Sequence, residues 1–107
     1  MAHKKYFVTG ATGFIGGRVA RQLVEAGHEV VAIARDVSRA SALAAIVVRV
    51  VAGDVSDRAS LERSMSGADG VFHLAGWYQV GVRDKRPAQR INVDGTRNVL
   101  SVMRDLT

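Results

Sequence analysis

Cysteine is absent from the chain, which excludes a disulfide framework and a thiolate metal site and suits a reducing compartment. Proline occurs once, as Pro87, and no repeat, linker or low-complexity tract interrupts the sequence. No apolar run reaches the length of a membrane span. Met1-Ala2-His3-Lys4-Lys5 leads straight toward an apolar segment without a signal-peptide hydrophobic region, so the expectation is a cytoplasmic protein with no membrane contact. Long blocks of one charge are missing too. The formal net charge is +5, yet the 15 basic residues are scattered, with no zinc-finger spacing and no ribonucleoprotein motif, which argues against nucleic acid as a partner. The densest cluster, Arg83, Lys85 and Arg86, is interrupted by Asp84 and reads as a solvated loop. A basic balance also suits an anionic cofactor.

What is present is a chain of 107 residues, 48% hydrophobic, which is enough for one domain with a modest core. Its most informative stretch is FVTGATGFIGG, Phe7 to Gly17. The apolar run Lys5–Thr9 reads as a buried strand and breaks into glycines spaced Gly10-x-x-Gly13-x-x-Gly16. Gly10 permits a tight turn off the strand, Gly13 lets backbone approach a pyrophosphate, and Gly16 allows the following helix to pack closely. Phe14, Ile15, Val19, Leu23 and Val24 recur at helical spacing as the expected apolar face, and Gly27 closes the helix. A second apolar strand, Glu29–Ala34, ends at Arg35, about 20 residues past the glycines, where a ribose-reading residue belongs. Strand, glycine turn, helix, strand is the order a dinucleotide site requires.

Ser38–Leu43 suggests a short helix, and Ile46–Val51 is β-branched enough for a third strand ending at Gly53-Asp54-Val55. Asp57 is placed to cap a helix carrying Leu61 and Met65 that stops near Gly67. Asp69–Ala75 makes a fourth strand closing on Gly76, Trp77–Arg86 a loop, and Pro87 suits the start of a last helix with Ile91, Val99, Val102, Met103 and Leu106 as its buried stripe. This alternation is a βαβαβαβα pattern, hence α/β: a Rossmann-type doubly wound parallel sheet. Right-handed crossovers set the strand order 3-2-1-4, with ligands expected at the carboxyl ends of the strands, in the switch point between strands 1 and 4.

Taken in order, TGATGFIG, GDVSD, VFHLAG and NVDGTRNVL resemble the successive signatures of the extended short-chain dehydrogenase/reductase family, whose N-terminal part aligns with the whole chain. The resemblance implies a nicotinamide dinucleotide with its pyrophosphate over the turn Gly10, Gly13 and Gly16, which Thr12 helps to shape, and backbone contacts from Phe14 and Ile15. It further implies that Asp54 accepts from the adenine amino group, that the Val55 backbone reads the ring, and that Leu74, Ala75 and Gly76 line the path to the nicotinamide ribose. Asp54 read alone is also a turn former after a strand. Asn92 and Thr96, one turn apart, can face the same way, and the family's asparagine there supports structure before catalysis. Arg35 at the end of strand 2 favours NADP, because a guanidinium pairs with a 2′-phosphate where an acidic residue would take the ribose hydroxyls of NAD. Asp36 follows and keeps NAD as the alternative, while Arg39 reads as a solvated arginine.

The family's catalytic Tyr-x-x-x-Lys pair is not matched: Tyr6 lies in strand 1, and Tyr78 is followed four residues later by Val82. His73, inside a strand, reads as a packed histidine rather than an acid or base. The chain is therefore expected to be one dinucleotide-binding domain over residues 1–107, truncated before strand 5 and the substrate-binding region, with no catalytic residue and no metal site of its own. Three readings follow: a cofactor-binding module of a reductase, dehydrogenase or epimerase; half of an enzyme completed by another chain; or a non-catalytic NADP-sensing interaction module. With Val71, Phe72 and Leu74 on an open strand 4 edge, a homo-oligomer formed through that edge is expected.

Overall fold

The computed structural model describes residues 3–76 and 83–106. Residues 77–82, most of the expected Trp77–Arg86 loop and with them Tyr78 and Val82, lie outside the described residues. Four strands, β1 (Lys5–Thr9), β2 (Glu29–Ala34), β3 (Arg49–Ala52) and β4 (Gly70–His73), form one parallel sheet in the order β3-β2-β1-β4. Helices α1 (Phe14–Glu25), α2 (Ser41–Ala45), α3 (Arg58–Met65), α4 (Arg86–Ala88) and α5 (Gly95–Leu106) carry the crossovers and the last segment. The fold class and strand order agree with the expectation.

Period-two alternation divides the apolar runs of β1 and β2 between two cores. Phe7, Val31 and Ile33 point to one side, where they meet Val55, Leu61 and Met65 and the buried stripe Ile91, Val99 and Val102. Val8, Val30, Ala32 and Ala34 point to the other, against Ala11, Ala20, Ala40, Leu43 and Val48. The second core is built largely of alanine, so α1 approaches the sheet closely.

Several local expectations are corrected. Phe14 and Ile15 are 80% and 66% exposed rather than part of the buried face of α1. That face is set by Gly16 and Ala20, four residues apart. At about 100° per residue Phe14 points nearly opposite to Gly16, and the Arg18 guanidinium covers its ring at 5.3 Å. Leu106 is 48% exposed rather than buried; the last turn of α5 packs Met103 against the core and is tied to α3 by the Arg58–Asp105 ion pair at 2.5 Å.

The third strand starts at Arg49 rather than Ile46. Residues 46–48 instead end α2: Val47 adopts φ 68°, its N–H bonds to the Ala44 carbonyl, and the Val48 N–H reaches back to Leu43. Helix α1 ends with the same pair of bonds, Gly27 to Val24 and His28 to Leu23, with Gly27 at φ 90°. Both are Schellman caps, and the hydrophobic contact that accompanies the motif is supplied by Leu43 and Val48 in the core.

The fourth strand is Gly70–His73, shorter than expected at both ends. Asp69 sits before the ladder, its carboxylate accepting the Lys5 N–H at 2.8 Å. Past His73 the chain leaves the ladder because β1 has turned away at Gly10: the Leu74 N–H is shared between the Thr9 carbonyl at 3.2 Å and the Thr9 hydroxyl at 3.0 Å, and the Ala75 N–H goes to the hydroxyl alone. Asp57 caps α3 as expected, accepting the Ala59 N–H at 3.1 Å, and Pro87 stands in the first turn of α4. Between α4 and α5, residues Gln89–Asp94 form a π-helical segment, a widened turn that a 3.6-residue period does not anticipate.

Candidate functional site

At the carboxyl ends of the strands lies a crevice of about 440 Å³. The structure brings together on its walls nine of the residues singled out from the sequence: Gly10, Thr12, Gly13, Arg35, Asp54, Val55, Leu74, Ala75 and Gly76. Phe14 lines a separate groove beside it, with Arg18, Arg21 and Arg39, while Gly16 is buried beneath the turn and Ile15 is exposed on α1. Arg90, Pro87 and Ile91 also line the crevice. Sequence reasoning gave Pro87 and Ile91 only a structural place and did not name Arg90, since it is the π-helical segment and its flanking turn that bring them to the crevice.

The glycine turn is shaped by contact as well as by torsion. Gly10 has φ 73°, and a Cβ there would stand 2.6 Å from the Leu74 carbonyl carbon. A Cβ on Gly16 would come within 2.0 Å of the Gly10 carbonyl oxygen. Only hydrogen fits at either place, so the turn lies directly on β4's exit and α1 starts directly on the turn. Gly13 is the residue before α1; no side chain caps that helix and its first turn carries no acidic residue. The first-turn N–H groups and the positive end of a 12-residue helix are thus available to an anion at the crevice's edge.

Asp54 is held by a side chain that the sequence did not signal. Ser60, 1% exposed, accepts the Asp54 N–H at 3.1 Å and lies 3.0 and 2.7 Å from the Asp54 and Asp57 carbonyls. The Asp54 carboxylate accepts the Ser56 N–H at 3.4 Å, so it forms a turn and lines the crevice at once. Val55 is buried under Gly95, where an added Cβ would lie 2.6 Å from its Cγ2, and the Val55 carbonyl accepts from the Asn98 amide at 2.9 Å.

Arg35 is exposed and borders the crevice. The Asp36 carboxylate is committed elsewhere: it accepts the Ser38 N–H at 3.0 Å, bonds the Ser38 hydroxyl at 2.5 Å and pairs with Arg39 at 3.6 Å. Asn92 and Thr96 both lean on the end of β4, Asn92 with its Oδ1 3.6 Å from the place a Cβ on Gly76 would take, Thr96 bonded to His73. The His73 ring is part-buried between the Thr9 hydroxyl, 2.7 Å from Nδ1, and the Thr96 hydroxyl, 2.8 Å from Nε2. Burial holds its pKa below the ordinary 6.5. Among the described residues no group of three metal-ligating side chains converges, and no helix is long and apolar enough to cross a membrane.

A crevice at the switch point, floored by a glycine turn and opened on by an uncapped helix, is the geometry of a dinucleotide fold, and residues 6–107 match the NAD dependent epimerase/dehydratase family. The chain belongs to that family. A Synechocystis sp. protein that carries the provisional name dihydroflavonol 4-reductase is 41% identical over 96 residues, which cover 90% of this chain and 28% of its relative. The UDP-glucose-4-epimerase of Stenotrophomonas maltophila, solved with NAD and formylated UDP-arabinopyranose, superposes with TM-score 0.84 at 29% identity, over 97% of this chain and 34% of that one. The Bordetella bronchiseptica enzyme WbmH, solved with NAD⁺, superposes with TM-score 0.82 at 28% identity, over 97% of this chain and 36% of its own. The chain thus spans between about a quarter and about a third of the length of these family members.

Proposed function

We propose that residues 1–107 are the dinucleotide-binding portion of a short-chain reductase, dehydrogenase or epimerase, and that they bind NADP in preference to NAD. The observation that carries this reading is Arg35 at the rim of a crevice floored by the glycine turn, with the neighbouring Asp36 carboxylate already engaged by Ser38 and Arg39. A guanidinium suits a 2′-phosphate; a carboxylate that caps its own turn is poorly placed to serve a ribose diol. The residues present fit such a cofactor, since Gly10 and Gly16 let the turn and α1 pack so closely that the uncapped start of α1, with no acidic residue in its first turn, stands at the crevice's edge. In this reading Gly10, Thr12, Gly13 and Gly16 with the Phe14 and Ile15 backbone hold the pyrophosphate. Asp54 and Val55 meet the adenine, and Leu74, Ala75 and Gly76 run toward the nicotinamide ribose. When bound, the cofactor supplies a hydride donor or acceptor; the chain's own residues bind and orient it.

Calorimetric titration with NADP⁺ and with NAD⁺ tests the assignment, repeated on Arg35→Ala. NADP⁺ is expected to bind more tightly, and Arg35→Ala to lower its affinity about 10- to 100-fold, the size of a charge-assisted bond worth about 1.5–3 kcal/mol, while leaving NAD⁺ nearly unaffected. Equal loss for both nucleotides would remove Arg35 from the phosphate. No heat with either would end the dinucleotide reading. The same reading places a second copy against the open β4 edge, where Phe72 and Leu74 are 37% and 38% exposed; a concentration-independent monomer in light scattering would refute that contact.

A further inference from the structure

Thr9 closes β1 directly opposite His73 in the parallel ladder. Its hydroxyl accepts the Leu74 N–H at 3.0 Å and the Ala75 N–H at 3.1 Å, and stands 2.7 Å from His73 Nδ1. A hydroxyl has one hydrogen and two acceptor lone pairs. Two backbone donors face the lone pairs, Leu74 sharing its N–H with the Thr9 carbonyl at 3.2 Å but lying nearer the hydroxyl, so the hydrogen goes to Nδ1 and leaves Nδ1 bare. A neutral ring bare at Nδ1 carries its proton on Nε2, which then donates to Thr96 Oγ1 at 2.8 Å. Donor counting favours this tautomer, and burial of the ring favours its neutral form.

We propose that His73 is a positioning residue: a neutral imidazole protonated at Nε2 that clasps the Leu74–Gly76 exit of β4 to β1 and to α5, and whose neutral form dinucleotide binding requires. This rests on the dinucleotide reading of the crevice. Leu74 and Ala75 are both crevice wall and the surface on which Gly10 turns, so their bonds to the Thr9 hydroxyl and carbonyl set the distance between that wall and the glycine turn. A protonated ring presents N–H at Nδ1 to a hydroxyl whose lone pairs are full. The Thr9 hydroxyl must then release Ala75 or leave Leu74 to the Thr9 carbonyl alone, and either way the wall loses one of its bonds.

The surroundings offer the cation nothing in exchange. From β1 the ring meets Thr9, while Lys5 lies at that strand's other end with its Nζ on the Ser66 carbonyl. From α5 it meets Thr96, whose charged neighbours Asp94 and Arg97 pair with each other at 3.9 Å. β4 itself carries no charged residue, and Asp69 just before it is bonded to the Lys5 N–H.

Long-range proton–nitrogen spectra of the isotopically labelled chain, titrated alongside NAD⁺ calorimetry over about pH 5 to 8, test the clasp. NAD⁺ is the probe because a 2′-phosphate monoester, with its second pKa about 6, would itself titrate in this range. The expected result is an Nε2–H ring above a single midpoint, with NAD⁺ affinity falling about tenfold per pH unit below that midpoint. His73→Asn offers an amide oxygen to the Thr9 hydroxyl without a titrating ring and is expected to lose the acid limb. An Nδ1–H tautomer, a titrating ring with flat NAD⁺ affinity, or an acid limb that persists in His73→Asn would each overturn the proposal. The wild-type spectrum and affinity profile decide the matter even where the variant does not fold. A chain that binds NAD⁺ at no pH would bring down the dinucleotide reading and the positioning role with it, whereas flat affinity brings down the clasp alone.

Discussion

Adding one methyl group should destabilise at position 16 but not at position 17, although both are glycines in α1. Alanine is favoured over glycine in a helix by about 0.8–1 kcal/mol, so on propensity alone both substitutions stabilise. At Gly17 the new Cβ would lie 3.2 Å from the Ala11 carbonyl oxygen, a few tenths of an ångström inside ordinary contact. At Gly16 the gap to the Gly10 carbonyl oxygen is 2.0 Å against an ordinary minimum of 3.4 Å, so helix or turn must move by about 1.4 Å. The Gly10 carbonyl carbon at 2.6 Å and Ala11 Cα at 3.0 Å block the same direction, and all three are backbone atoms that cannot rotate aside. Overpacking of this kind costs about 1–3 kcal/mol or more. Gly16→Ala is therefore expected to destabilise by about 2 kcal/mol net, with Gly17→Ala neutral or slightly stabilising. Urea unfolding followed by circular dichroism, fitted with a common m-value, measures the difference; in Tm it is about 8 °C at about 4 °C per kcal/mol. If both variants shift together, or Gly16→Ala unfolds with wild type, the close approach of α1 to the turn is not real.

Stability should also fall on acidification through His73. Its folded pKa lies below 6.5 through burial, so the unfolded chain takes up the proton first; the contribution is complete above 6.5 and is lost as the pH drops toward the folded value. The difference in urea midpoint between wild type and His73→Asn, followed over that window, should shrink or invert on acidification, and a constant difference would refute the linkage. The Asp84 and Asp105 carboxyls, held low by Arg86 and by Arg104 with Arg58, titrate below 3.8 and outside this window. Ser60→Ala removes a buried hydroxyl that holds the Asp54 N–H and is expected to cost about 1–3 kcal/mol; a midpoint equal to wild type would show the bond to be dispensable. Val47→Gly should stabilise by up to about 1 kcal/mol, since relief of a left-handed β-branched residue, about 1–2 kcal/mol, exceeds the added backbone entropy of about 0.5–1 kcal/mol. Val47 is 82% exposed and no packing is lost, so a lower Tm would refute the strain at φ 68°.

Strand order, the two-sided sheet and the place of the crevice could be read from the amino acids because each rests on short-range pattern. The alternation in Phe7-Val8 and Val30–Ala34 sorts side chains to two faces whatever they meet there. The spacing Gly10, Gly13, Gly16 marks a turn that other residues would strain, and apolar segments separated by helices leave only a parallel arrangement. Other features depended on which distant atoms the fold brings together. Ile46 and Val47 have strand propensity, but a Schellman cap closed by Leu43 and Val48 claimed them. Phe14 and Ile15 keep the helical period of an apolar face, but the close contact of Gly16 with Gly10 set the rotation of α1 and turned them outward.

His73 shows the division most clearly. Its place in a strand was visible in the sequence, whereas its proton was assigned by Thr9, 64 residues before it, and Thr96, 23 residues after it. Ser60 under Asp54, and Arg90 over the crevice on its π-helical segment, belong to the same class. Periodicity and turn chemistry are local and survive in a string of letters. The partners of a hydroxyl, an imidazole or a carboxylate are spatial, and only the folded chain supplies them.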